Sequence, residues 1–149
     1  MRLTAVCIGV AAAGGLIHPT IVVLGIAGTL FILFFFRDPE RKIVAVPGQI
    51  VAPADGKVLS IDEVEEKNFL DARSKRISIF LSIFDVHINR APVGGTIETV
   101  KYRPGRFAFA NTADASRGNE SNVIGIRGEG VNVVVKQIAG AVARRIICY

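Results

Sequence analysis

Apolar and polar positions divide this chain into two parts. Residues 3–36 carry no Lys, Arg, Asp or Glu and consist mostly of Ala, Val, Ile, Leu, Phe and Gly. Such a run exceeds the ~20 residues that cross a hydrocarbon core once as a helix, so a membrane element is expected. His18-Pro19-Thr20 interrupts it, because proline removes a backbone donor and biases the preceding residue away from helix. The run therefore divides into residues 3–17 and 20–36, and a piece of fifteen residues makes only ~23 Å of helix against a ~30 Å core. Two architectures remain: one longer, kinked span, or a hairpin of two short helices in one leaflet with His18-Pro19 at its tip. The hairpin sets Arg2 beside Arg37, Arg41 and Lys42, which the positive-inside tendency assigns to the cytoplasm. A cleaved signal peptide would account for the first residues but not for the hydrophobicity that resumes through Phe36. Phe31, Phe34, Phe35 and Phe36 followed by Arg37-Asp38-Pro39-Glu40-Arg41-Lys42 mark a membrane interface, and Pro39 stops any helix there.

Beyond this linker the period becomes that of strands. Residues 57–64, 75–84 and 131–138 alternate with β-branched enrichment, and 94–102, 122–127 and 144–148 read likewise. Turn signals at 54–56, 90–95, 103–105 and 128–130 separate them, and 138–144 has room for a helical turn or two. The predicted fold class is mainly β: a small barrel- or sandwich-like domain over 48–149, a juxtamembrane linker over 37–47, and an N-terminal helical anchor over 1–36.

Composition narrows the function classes. With 149 residues, half of them apolar, and a mean hydropathy of +0.44, the chain is not intrinsically disordered. Two cysteines, Cys7 and Cys148, are too few for a secreted disulfide scaffold. From residue 37 onward there are seventeen basic and thirteen acidic residues, a net charge of +4. The basic residues are dispersed and form one basic-aromatic cluster, at 101–107, so nucleic acid is not an expected partner. A basic domain beside a membrane instead faces anionic headgroups.

Two residues stand out as candidates for chemistry. His87, in Asp85-Val86-His87-Ile88-Asn89-Arg90-Ala91-Pro92, is the one histidine of the β domain and lies between an apolar strand and a proline turn, where functional groups sit on rigid support. A lone histidine is equally well a satisfied core residue. Asp55, in Pro53-Ala54-Asp55-Gly56, also fits ordinary turn chemistry. One histidine without paired cysteines makes no zinc site.

Phe35-Phe36-Arg37-Asp38-Pro39-Glu40-Arg41, Pro53-Ala54-Asp55-Gly56-Lys57-Val58, the segment from Asp85 through Gly95, Asn119-Glu120-Ser121-Asn122 and residues 137–146 occur in the order seen in the phosphatidylserine decarboxylase family. The chain resembles the short, membrane-anchored branch, which includes archaetidylserine decarboxylases. The resemblance implies a carboxy-lyase of phospholipid biosynthesis that converts phosphatidylserine to phosphatidylethanolamine and CO2. It works without a metal, and its proenzyme cleaves itself at a Gly-Ser bond so that the serine becomes a pyruvoyl group on the small chain. That carbonyl condenses with the lipid's amine and accepts the electron pair left when CO2 departs, the role a pyridoxal ring plays elsewhere. Carried over by motif, Asp55 and His87 are catalytic, the acid fixing the imidazole and the imidazole activating the maturation serine. Longer members have a second histidine where this chain has Arg90. Either His87 serves both self-cleavage and protonation, or Arg90 assists by holding a phosphate or carboxylate.

Phe107 and Phe109 are candidates to line the substrate pocket, with core packing the ordinary role of two aromatics at strand spacing. Asn111 is a further substrate-binding candidate, and with Glu120 and Asn122 it also reads as a solvated loop residue. None of the six serines, at 60, 74, 78, 82, 116 and 121, follows a glycine. The resemblance thus implies a truncated sequence whose pyruvoyl-forming serine lies past Tyr149, inactive alone, with an open barrel edge that tends to aggregate, a homo-oligomer being one form this could take. The expected partners are the membrane phospholipid and the pyruvoyl-bearing small chain, and the expected location is the cytoplasmic side of the cell membrane. The alternative is a non-catalytic, membrane-anchored β domain that binds lipid or a protein. A biotinyl or lipoyl carrier would need a lysine at a hairpin tip, whereas Lys57 and Lys136 sit in strand patterns.

Overall fold

The computed structural model describes residues 2–14, 18–42, 46, 48–109 and 113–149. Two helices come first, α1 (Arg2–Gly14) and α2 (Pro19–Phe35). His18 caps α2, its Nδ1 accepting the Thr20 N–H at 3.3 Å, and Pro19 occupies the first turn, where its missing donor costs nothing. The helices pack side by side as a hairpin: Cys7 lies opposite Gly28, and Ile8 shares a crevice with Ile26, Thr29 and Leu30. Thr29 returns its hydroxyl to the Gly25 carbonyl at 2.8 Å, which lets it sit in so apolar a helix. The single kinked span is thereby replaced by a helix pair. No helix among the described residues is long and apolar enough to cross a membrane.

The rest is mainly β. Strands β1 (Lys57–Glu66) and β2 (Ala72–Phe80) form an antiparallel hairpin with Asp62 directly opposite Arg76, a charge pair that also bonds through Nε at 2.8 Å. Strands β3 (Gly95–Arg103), β4 (Ser121–Gly128) and β5 (Asn132–Ile138) form a second antiparallel sheet in the order β3-β4-β5, and the short helix α3 (Ala113–Gly118) lies between β3 and β4. Because β4 is central, Ser121, Asn122, Val123, Gly125 and Ile126 are all buried and the alternation of burial is lost. Among the described residues the buried apolar side chains include Phe35, Val86, Ala115, Val123, Ile126 and Ala139.

The predicted barrel or sandwich therefore becomes two separate sheets. Strand β2 ends at Phe80 rather than continuing to 84, because the Asp85 carboxylate takes the Ser82 N–H at 2.7 Å and Asp85 N–H returns to the Ser82 carbonyl at 3.0 Å. This local turn competes with ladder pairing. The sheets meet at the β1–β2 tip. There the Glu66 carboxylate accepts the backbone N–H groups of Asn68, Phe69 and Leu70, each at 2.8 Å, and the Phe69 ring covers Gly125, where a Cβ would lie 2.6 Å from it. Lys101 Nζ reaches the Asn68 carbonyl at 2.8 Å. The expected strand at 144–148 and helical turn at 138–144 are also absent: β5 ends at Ile138, a bend closed by Gly140 N–H to the Ala143 carbonyl follows, and residues 144–148 have no ladder partner.

Candidate active site

The turn bearing Asp55 and the loop bearing His87 are brought together by the backbone. Arg90 N–H donates to the Pro53 carbonyl at 2.8 Å and Val51 N–H to the Pro92 carbonyl at 3.0 Å, an antiparallel register of two bonds outside the named sheets. Gly56 sets the turn. Its φ of 136° is open to glycine, and a Cβ there would stand 2.3 Å from the Phe80 carbonyl oxygen.

His87 is half-buried. Its Nδ1 lies 3.0 Å from the Asp85 carbonyl, which can only accept, so Nδ1 carries the proton and Nε2 is the free basic nitrogen. One face of the ring stacks on Phe35, with centroids 4.1 Å apart and planes 23° from parallel. Two Ser82 contacts, backbone and side chain, hold the Asp85 carboxyl below the usual range, and His87 and Arg37 add to the effect. Val86 and Pro92 are buried and seat the loop.

The charged candidates are paired with the segment that follows α2. Arg41 pairs with Asp55, and Arg90 pairs with Asp38 while also donating to the Pro39 carbonyl at 3.0 Å. The described hydrogen bond of His87 is to the Asp85 carbonyl rather than to Asp55. Asn89, between His87 and Arg90, has its amide oxygen buried without a hydrogen-bond partner. Among the described residues no group of three or more His, Cys, Asp or Glu is placed to hold a metal ion.

Phe107 and Phe109 belong to another part of the molecule. Both are exposed and neither lies in a strand, so they do not fill the core. Arg144 lies over the Phe107 ring at 6.0 Å, and buried Asn119 binds the Ala108 N–H at 3.0 Å and the Ala108 and Ala139 carbonyls at 2.8 Å. These bonds tie the segment to the turn after β5 rather than to the His87 loop. Asn111 lies outside the described residues. Asn122 is buried in β4 with its amide nitrogen 3.4 Å from Gln137 Oε1, so it is not a solvated loop residue, whereas Glu120 lies just before β4, outside any strand, and is half-buried. Sequence reasoning missed Phe35, Asp38, Arg41 and Asp85 as neighbours of the site. The signal available for Asp38 and Arg41 was the charged run after α2, which Pro39 keeps from being helical and so from pairing its charges at helical spacing.

Fold and site together define a mainly β protein in which a carboxylate, an imidazole and a guanidinium are gathered on two adjoining loops, an arrangement suited to moving a proton beside an anionic group. The family model for phosphatidylserine decarboxylase matches residues 29–149. Among curated proteins, the phosphatidylserine decarboxylase proenzyme of Solibacter usitatus is 43% identical over 96% of this chain and 66% of its own. That of Carboxydothermus hydrogenoformans is 51% identical over 80% and 56%, and that of Granulibacter bethesdensis 47% over 95% and 59%. The chain belongs to the phosphatidylserine decarboxylase family. It spans 56–66% of the length of these relatives.

Proposed function

We propose that this chain is the larger part of a pyruvoyl-dependent decarboxylase acting on the serine headgroup of a membrane phospholipid, releasing CO2 and leaving the ethanolamine lipid. The observation that carries the reading is the joining of the Asp55 turn to the His87–Arg90 loop through the Arg90 to Pro53 bond, in a chain of this family. In this reading His87 Nε2 takes the hydroxyl proton during maturation and returns a proton to the substrate's α-carbon after CO2 has left. The Asp85 carbonyl supports that role by fixing the tautomer. Arg90 holds the phosphate or carboxylate of the headgroup through Nη1 and Nε, its Nη2 being the donor to the segment after α2. Asp55 balances the imidazolium as it forms.

The pyruvoyl group supplies the carbonyl that binds the substrate amine and accepts the electron pair left on decarboxylation. It derives from a serine other than the six of this chain, none of which follows a glycine. Of the residues present, the Arg90 guanidinium fits such a group as a donor to its carbonyl oxygens, and His87 Nε2, an acceptor, fits the proton transfer beside it. Its bearer is the small chain of the same proenzyme, in keeping with the relatives' name. Exposed Val58, Leu59, Ile61 and Ile77 on the β1–β2 sheet offer apolar surface for the strands that would close a barrel, and the open sheet edges would also admit a homo-oligomer.

The reading takes residues 1–36 as a membrane anchor, 37–47 as linker and 48–149 as the catalytic domain on the cytoplasmic side, and the exposed apolar side chains of the helix pair are what support the membrane location. Val6, Ile8, Val23, Leu24, Leu30 and Leu33 are all more than half exposed, a surface that lipid covers at lower free-energy cost than water. A hairpin seated in one leaflet satisfies this without spanning. The test is release of labelled CO2 from vesicles containing carboxyl-labelled phosphatidylserine, using protein expressed from its complete reading frame. Release is expected. Vesicle binding without release would instead identify a lipid-binding domain.

A further inference from the structure

We infer that the segment from Phe35 to Arg41 is a positioning strap for the two catalytic loops, with Phe35 setting the plane of the His87 ring. The inference rests on the assignment of Asp55, His87 and Arg90 above and adds residues that assignment does not use. Four side chains of one short segment engage four points of the site. Phe35 stacks on His87. The Arg37 guanidinium lies 3.9 Å over the Phe34 ring and donates to the Phe34 carbonyl at 2.9 Å and the Phe84 carbonyl at 2.8 Å, bolting the end of α2 to the start of the His87 loop. Asp38 pairs with Arg90 and Arg41 with Asp55.

One exposed ion pair is worth little, because two long side chains must be immobilised for it. Here the segment is fixed at its start by α2 and stiffened by Pro39, so its ordering is shared among all four contacts. Phe35 is the buried residue of α2; its ring against one face of the imidazole resists tilting about the Cβ–Cγ bond, and the Asp85 carbonyl selects the flip that turns Nδ1 toward it. Plane and tautomer together aim Nε2. The strap also makes the seating of the apolar helices and the alignment of the site one mechanical unit.

The sequence holds two histidines, so the intact chain labelled with ring-15N histidine and embedded in phospholipid nanodiscs gives two sets of imidazole signals, assigned with His18→Gln. At a pH where the rings are neutral, His87 is expected as the Nδ1–H tautomer alone. Phe35→Leu keeps apolar bulk and removes the stack. It is expected to give a mixture of tautomers, whereas Phe35→Tyr retains the single form. A wild-type His87 signal in Phe35→Leu overturns the strap. Should Phe35→Leu fail to fold, Arg37→Gln and Asp38→Asn, at a half-buried and an exposed side chain, carry the test: each is expected to broaden or split the His87 signal, and an unchanged signal in both overturns the inference.

In enzyme from the complete reading frame, Phe35→Leu is expected to lower kcat about tenfold at constant KM, with Phe35→Tyr restoring it. The spectroscopic readout needs no turnover, so the two ideas fail separately. Full activity in His87→Gln sinks the catalytic assignment, and an undisturbed tautomer in Phe35→Leu sinks the strap.

Discussion

The backbone N–H of Arg90 donates to the carbonyl of Pro53 at 2.8 Å, and this bond registers the loop that carries His87 against the turn that carries Asp55. Neither partner is a reacting group. What the pair supplies is a fixed separation between two loops that belong to no sheet, so anything that displaces the Asp55 turn also displaces its partner loop.

Gly56 is the point where that register is most easily broken. Gly56→Ala forces a side chain into positive φ and against the Phe80 carbonyl, and it is expected to lower stability by about 3 kcal/mol through backbone strain and overpacking. Thermal unfolding in lipid or detergent checks this, and a melting temperature within a degree of the parent would contradict it.

Glu66 makes the tip of the β1–β2 hairpin acid-sensitive. Partial burial pushes its carboxyl up, but hydrogen bonds from the backbone of Leu70 and Asn68, the Asn68 amide and the Phe69 backbone outweigh this and bring it down to about 2. A depressed folded-state value stabilises fully above the ordinary carboxylate value of 4.5 and is lost as pH falls toward 2. Protection factors at Asn68, Phe69 and Leu70, taken against the intrinsic exchange rate at each pH, should therefore fall between those limits. Glu66→Gln should cost about 1 kcal/mol at neutral pH and flatten the pH dependence.

Phe69 and Gly125 should show strong coupling. Gly125→Ala places a methyl group 2.6 Å from the Phe69 ring and should displace it, while Phe69→Ala removes a half-buried ring at a cost of about 2 kcal/mol. In the double variant the methyl group enters vacated space, so the combined loss should fall short of the sum by about 1 kcal/mol or more. Additive losses in a thermodynamic cycle would mean that the tip does not dock on β4.

Asn119 is the buried knot of the second sheet. Replacing it with alanine strands the Ala108 and Ala139 groups and should cost about 2–4 kcal/mol by denaturant unfolding, without changing any group of the His87 loop.

Period and turn chemistry made much of this fold legible. The break at His18-Pro19 became the cap of α2, and alternation located all five strands to within a few residues of their ends. Alternation failed where pairing decides. Residues 81–84 are as apolar as a strand, yet Asp85 turns the chain away, and residues 144–148 have strand composition without a ladder partner. Buried polar residues were invisible for a related reason, since Asn119 and Asn122 gain their burial from segments distant in sequence. The site was legible in its loops but not in its supports. Asp38 and Arg90 are 52 residues apart, and no local pattern reports a contact at that range.

The central claim is that His87 transfers the proton in decarboxylation of a serine phospholipid. Its most direct test is the rate of labelled CO2 release from carboxyl-labelled phosphatidylserine vesicles by protein from the complete reading frame, parent against His87→Gln, with maturation followed on the same samples. The account predicts release by the parent and a loss of at least about 100-fold in the variant, the ordinary worth of a positioned acid–base group. Parental rates in His87→Gln, or no release from the parent, would contradict it.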